Sequence, residues 1–182
     1  MTNSERDFSE MKNSSEILLE MIRQVADALG DDILKKTAFV GGATTGFFIT
    51  DPYVKESVRL TDDVDIIVDV VGYGKWASFQ DELKSKGFTV SPDDDVICRM
   101  RLGDLKVDFM PDDEKILGFT NKWYSAGLEN AINQRVSENL EIRTLTPPLF
   151  IATKLEAYLG RGNDDPMGSR DIEDIINLID GR

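Results

Sequence analysis

Asp63 and Asp65 lead directly into an uninterrupted apolar run, Ile66-Ile67-Val68. A continuous apolar stretch of this kind suits a strand buried on both faces. A chain that carries one must cover a sheet on two sides, and here the mouth of the strand is acidic. Side chains two apart on a strand share a face, so Asp63 and Asp65 are predicted to project together. Neighbouring carboxylates repel, a cost that a divalent cation or bound protons offset. The strand is predicted over Val64 to Val71 and ends at Gly72-Tyr73-Gly74. Asp108 repeats the pattern in Leu105-Lys106-Val107-Asp108-Phe109-Met110, with Lys106 and Asp108 on one face and Leu105, Val107 and Phe109 on the other.

Composition narrows the chemistry open to such a site. The 182 residues contain no histidine and one cysteine, Cys98. Histidine bases, Ser-His-Asp triads and histidine zinc sites are thereby excluded, as are an internal disulfide and multi-cysteine metal sites. Carboxylates, lysine, arginine, backbone dipoles and an oxygen-bound metal remain. Cytoplasm is the expected compartment. No apolar run reaches the ~18–20 residues of a membrane span, and the polar start Met1-Thr2-Asn3-Ser4-Glu5-Arg6-Asp7 reads as a loose tail, not a secretory signal. The net charge of −13 sets a field that repels polyanions and tolerates small anions such as a nucleotide–Mg²⁺ complex.

Periodicity supplies the remaining elements. Ile17, Leu18, Met21, Ile22, Val25 and Leu29 recur at helical spacing, so a helix is predicted over Ser15 to Leu29 with Gly30 as its cap. Ala38 to Val40 reads as a short strand, and Ala43 to Ile49 as a short helix. Asp51-Pro52-Tyr53 is a breaker, followed by loop to Arg59. Lys75 to Lys86 is a helix ending at Gly87, and Phe88-Thr89-Val90 is extended. Ser91-Pro92-Asp93-Asp94-Asp95 is read as a turn and not as a metal site. Val96 to Leu102 and Leu105 to Met110 form a hairpin across Gly103-Asp104, with Cys98 inside it as core. Leu140 to Thr144 is a short strand, Pro147 to Leu159 a helix, and Gly160 to Gly168 a loop. Ser169 caps a last helix, Arg170 to Ile179, with an apolar stripe of Ile172, Ile175, Ile176 and Ile179. The expectation is an α+β fold: a mixed sheet flanked by helices, with a helical C-terminal part. It forms one domain over 1–182, with the sheet core at about 15–112 and a mainly helical extension at about 113–182.

The glycine pair Gly41-Gly42 follows the first short strand, where backbone N–H groups and a helix start favour an anion. Gly41-Gly42-Ala43-Thr44-Thr45-Gly46 has the outline of a P-loop but carries Phe47 and Phe48 where lysine and a hydroxyl would follow. A plain tight turn and a phosphate site are both open at this point. Trp123-Tyr124 suits either base stacking or packing.

The order Gly41-Gly42, Asp63-x-Asp65 and then Asp108 resembles the DNA polymerase β-type nucleotidyltransferase superfamily. The run Arg59-Leu60-Thr61-Asp62-Asp63-Val64-Asp65 is similar to small bacterial members related to AbiEii-type toxins. So are Gly118-Phe119-Thr120-Asn121-Lys122-Trp123-Tyr124, Lys154-Leu155-Glu156-Ala157 and Arg170-Asp171-Ile172-Glu173-Asp174. The gap from Gly42 to Asp63 is longer than is usual there, and the chain is shorter than many such toxins. The resemblance implies that Asp63, Asp65 and Asp108 hold Mg²⁺ and that Gly41, Gly42 and Thr44 border a nucleoside triphosphate. It also implies that Lys154 and Arg161 neutralise the leaving pyrophosphate. The acceptor would be a hydroxyl on RNA, protein or a small molecule, and a toxin would have a cognate antitoxin as partner. Asp171 and Asp174, three apart on one helical face, would pair with Arg170 or Lys154, or orient the lysine. A non-catalytic nucleotide-binding protein and a metal-dependent phosphohydrolase are the alternatives.

Overall fold

The computed structural model describes residues 13–94, 96–161 and 165–182. The expected N-terminal tail lies outside them, as do Asp95 of the acidic turn and part of the 160–168 loop.

Helix α1 (Ser14–Leu29) starts on a capping box, in which the Asn13 side chain accepts from the Glu16 N–H and Glu16 returns the bond to Asn13. It buries Leu18, Met21, Ile22, Val25, Ala26 and Leu29. A short α2 (Asp31–Leu34) leads into β1 (Thr37–Val40), buried along its whole length. The glycine turn then opens the expected short helix, which is a 3₁₀ helix over Gly42–Phe47. The loop expected after Asp51 instead contains α3 (Pro52–Glu56): the Asp51 carboxylate accepts from the N–H groups of Tyr53 and Val54, and Pro52 sits in the first turn. Asp51-Pro52 is a helix start here, not only a breaker.

β2 (Asp63–Val68) and α4 (Tyr73–Ser85) follow, then the hairpin of β3 (Arg99–Leu102) and β4 (Leu105–Pro111). Residues 113–182 carry α5 (Glu114–Leu117), α6 (Tyr124–Glu129), α7 (Pro147–Arg161) and α8 (Arg170–Asp180). They also carry β5 (Ile132–Ser137) and β6 (Leu140–Thr144). β5 escapes the sequence because its side chains are largely exposed and Ile132-Asn133-Gln134-Arg135 lacks an apolar alternation.

The six strands form one mixed sheet in the order β3-β4-β2-β1-β6-β5. β2 runs parallel to β4 and antiparallel to β1, which is itself parallel to β6. Each face of the sheet has its own core. On one, Val64, Ile66 and Val68 pack with Phe39, Val107, Phe109 and residues of α1 and α4. On the other, Ala38, Val40 and Ile67 meet Leu128 of α6, Phe150 of α7 and Leu178 of α8. Along β2 this second face turns from Ile67 to Asp65 and then Asp63, so α7 and α8 roof an apolar half and an acidic half.

The stripe expected on α8 is rotated. Ile176 and Ile179 are 58% and 65% exposed, whereas Asp171 and Asp174 are buried beside Ile175 and Leu178. The buried aspartates are paid for by cations from other elements, which no pattern within the helix reveals. Ser169 is the N-cap as expected, accepting from the Ile172 N–H.

Candidate active site

Strand pairing assembles the acidic residues. β2 and β4 are in parallel register with Asp65 opposite Asp108 and Asp63 opposite Lys106. On the other side, Val40 of β1 stands opposite Asp65. The glycine pair that leaves β1 therefore runs beside the two β2 carboxylates. Gly41 has a φ of 72°, and a Cβ on it would lie 1.8 Å from Asp65 Oδ2. The turn needs glycine here both for its left-handed backbone and for the space the carboxylate fills.

Asp63, Asp65 and Asp108 line a cleft of about 720 Å³ together with Gly42, Asp62, Arg59, Arg99, Lys154, Arg161 and Arg170. A smaller pocket of about 110 Å³ adjoins it, sharing Asp65, Lys154, Arg161 and Asp171 and adding Gly41. The structure thus brings Gly41, Gly42, Lys154 and Arg161 to the same place as the carboxylates. Thr44 lies behind the turn: it is buried, and its hydroxyl donates to the Gly41 carbonyl at 2.9 Å. Trp123 is partly exposed, while Tyr124 packs with the second core and donates its hydroxyl to Met110 Sδ.

The carboxylates differ in environment. Asp108 is gripped by Arg99 of β3, whose Nε and Nη2 donate to its two oxygens at 2.7 and 2.8 Å. Nη2 also donates to Asp63 at 2.9 Å. Asp65 accepts no hydrogen bond from any described residue. Its desolvation, with the charges of Asp63 and Asp108 beside it, pushes its carboxyl up to about 7. Asp63 is also raised, chiefly by burial, with Asp108 and Asp62 adding to the effect and Arg99 opposing it. Asp62 points outward to Lys106, which holds it below the usual carboxylate range.

Over this floor, α7 and α8 are joined by buried charge. Lys154 Nζ donates to Asp174 at 2.6 Å and Asp171 at 3.3 Å. Arg161 pairs with Asp171, and Arg59 lies 3.5 Å from Asp174 and 3.4 Å from Glu173. Lys154 is therefore held by two carboxylates: of the partners the sequence left open for Asp171 and Asp174, Lys154 is the one in contact, and Arg170 pairs with neither. Arg170 lines the cleft without an ion pair among the described residues.

Three hard carboxylate oxygens donors, one of them without a hydrogen-bonded partner, have the chemistry that Mg²⁺ prefers. As the side chains lie, no three acidic groups among the described residues close into a cation cage, and Asp63 and Asp108 are both paired with Arg99. Arg99 was not identified from the sequence. The hairpin contained the signal: counting back from Gly103-Asp104 pairs Arg101 with Lys106 and Arg99 with Asp108.

No family model and no curated protein matches the sequence. Among solved structures, the chain is similar to that of the antibiotic-resistance factor ANT(2'')-Ia, determined in solution and described as having substrate-regulated conformation dynamics. The TM-score is 0.55 at 13% identity, over 90% of this chain and 83% of that chain. At that identity the likeness is one of fold. The mixed sheet flanked by helices is a nucleotidyltransferase-like α+β architecture.

Proposed function

We propose that this chain is a Mg²⁺-dependent nucleotidyltransferase that moves a nucleoside monophosphate from a nucleoside triphosphate to an acceptor hydroxyl. One observation carries the reading: Asp65 and Asp108 are direct neighbours across β2 and β4, Asp63 shares their face, and all three line one open cleft. Arg99 sets one charge against three carboxylates, so the cluster still carries repulsion that a cation would relieve.

In this reading Asp63, Asp65 and Asp108 are the residues that would hold Mg²⁺, which would supply charge neutralisation on the phosphates and acidify the acceptor hydroxyl. Arg161 and Arg170 line the cleft where they can bind phosphate oxygens, and Gly42 lets its backbone border them. Lys154 fixes α7 against α8, so the roof of the cleft keeps its position while the triphosphate is aligned. The acceptor oxygen then attacks the α-phosphorus. Its new P–O bond replaces the bond to the β-phosphate, pyrophosphate departs, and the hydroxyl proton is lost to carboxylate or water. The reading treats the chain as one nucleotidyltransferase-like unit, since β6 from its C-terminal part pairs with β1.

The sequence runs similar to AbiEii-type toxins make a toxin, restrained by a cognate antitoxin, the finer form of the proposal. The fold likeness to an antibiotic-resistance factor supports transfer to a small molecule as its rival. Incubation with each α-labelled triphosphate, Mg²⁺ and cell extract tests both. Label should appear on RNA or protein for a toxin and on a metabolite or drug for a resistance factor. Asp63→Asn and Asp108→Asn should each lower the rate by a factor of about 10² or more, by analogy with loss of one transition-state contact. Nucleotide binding with no transfer to any acceptor would overturn the enzyme reading. It would leave a non-catalytic nucleotide-binding protein, the second reading, which Arg99's hold on two of the carboxylates favours.

A further inference from the structure

The guanidinium of Arg99 lies where the nucleotidyltransferase reading would seat a cation. β3 borders β4, and its register sets Arg99 opposite Asp108. The side chain is 14% exposed and makes three charge-assisted hydrogen bonds, two to Asp108 and one to Asp63. This is a bidentate fork on one carboxylate with a third bond to its neighbour, among the strongest side-chain pairings available. It sets one fixed positive charge between two carboxylates and leaves Asp65 beside them with no described donor.

Those bonds compete with metal. Mg²⁺ takes oxygens at ~2.0–2.1 Å in a nearly ideal octahedron. Both Asp108 oxygens and Asp63 Oδ2 accept from Arg99 at 2.7 to 2.9 Å. Each oxygen keeps a further lone pair, but a cation drawn to these three must approach the guanidinium's like charge, so the fork and the ion compete for the cluster. Arg99 also lines the open cleft, so its side chain has room to leave towards the space where this reading places the triphosphate.

We propose that Arg99 is the resident counter-cation of the carboxylate cluster, that divalent metal binds by displacing it, and that the freed guanidinium then contacts the bound triphosphate. The proposal rests on the nucleotidyltransferase reading. It gives the metal-free protein a cluster whose mutual repulsion is reduced by one fixed charge, without an ion. It also couples the ligands: nucleotide offers Arg99 a new partner and so tightens metal binding, and metal must tighten nucleotide binding by the same factor.

Direct titration of the full chain with Mn²⁺, reading free ion by electron paramagnetic resonance, tests this without reference to turnover. Without nucleotide, Arg99→Gln should bind Mn²⁺ about tenfold or more tightly than wild type, with Arg99→Lys between them. A non-hydrolysable triphosphate should tighten Mn²⁺ binding strongly in wild type and less in Arg99→Gln. A second readout needs no folded variant of altered charge. The Arg99 Nε–H resonance, identified by its loss in Arg99→Lys, should shift in wild type as Mg²⁺ saturates the protein. Equal or weaker Mn²⁺ affinity in an Arg99→Gln protein with wild-type circular dichroism would overturn the proposal, as would a resonance unmoved at metal saturation. If this happens while label transfer persists, the competition alone is refuted. If neither protein binds Mn²⁺ even with nucleotide and no label transfers, the enzyme reading falls with it.

Discussion

Asp65 is where single-residue chemistry is sharpest. It stands between Gly41 on β1's exit and Asp108 on β4, and burial beside two other acids pushes its carboxyl up to about 7 from an ordinary value of 3.8. The sign of the effect on folding follows from proton counting. Below pH 3.8 the residue is protonated whether the chain is folded or not, and it imposes no penalty. As pH rises towards 7 the folded protein keeps a proton that the unfolded chain has released, so stability falls and the loss is complete above the folded value. At ~1.4 kcal/mol per pH unit this is on the order of a few kcal/mol. In chelator, Asp65→Asn should therefore melt higher than wild type at pH 8, and the difference should vanish near pH 4. Parallel melting profiles of the two proteins across that range would refute the assignment. Strand spacing set Asp63 and Asp65 on one face and Asp108 on the polar face of its own strand, and the register of β2 against β4 brings the three together. Their unequal states were not legible in the sequence, because Arg99 chooses Asp63 and Asp108 and leaves Asp65 to its neighbours' repulsion.

Between elements, the decisive contact joins α7 to α8. Lys154 reaches from one helix to Asp171 and Asp174 on the other, and all three side chains are at most 11% exposed. Buried pairs of this kind contribute little over an apolar packing, but removing one member strands the others. Asp174→Ala should destabilise the fold by ~3–5 kcal/mol, seen as a lower urea midpoint at unchanged slope. A loss below ~1 kcal/mol would mean that water and the remaining Asp171 satisfy Lys154 without it. The same contact explains the misplaced stripe on α8. Isoleucines at 172, 175, 176 and 179 have helical spacing, and hydrophobicity alone would bury them. The partners that make Asp171 and Asp174 buriable lie at 59, 154 and 161, beyond any local window. The β3–β4 hairpin is the opposite case. Its Gly103-Asp104 turn fixes the register, so the Arg99–Asp108 pairing could be counted from the sequence.

For the molecule as a whole, charge is unevenly spread. The net charge is −13, yet Arg59, Arg99, Lys154, Arg161 and Arg170 all line one cleft. Most of these cations already hold a carboxylate, so the local field suits a compact anion more than a long one. Random single-stranded RNA should show no micromolar binding at low salt by fluorescence anisotropy. Binding that strengthens steeply as salt is lowered would signal a polyanion groove instead. No described helix is long and apolar enough to cross a membrane. The amino-acid sequence by itself determined the local terms: helices from apolar periodicity, the buried β2 from its aliphatic run, the hairpin from its turn, and three carboxylates set on strand faces. These are decided by neighbours within a few residues, where backbone geometry leaves little choice. Tertiary structure alone decided that β6 returns to β1 with β5 at the sheet edge, that α8 presents its aspartates inward, and that Arg99 occupies the acidic cluster. Each of those outcomes depends on charges or strand edges meeting from distant parts of the chain, and their energies exist only once the sheet has brought them together.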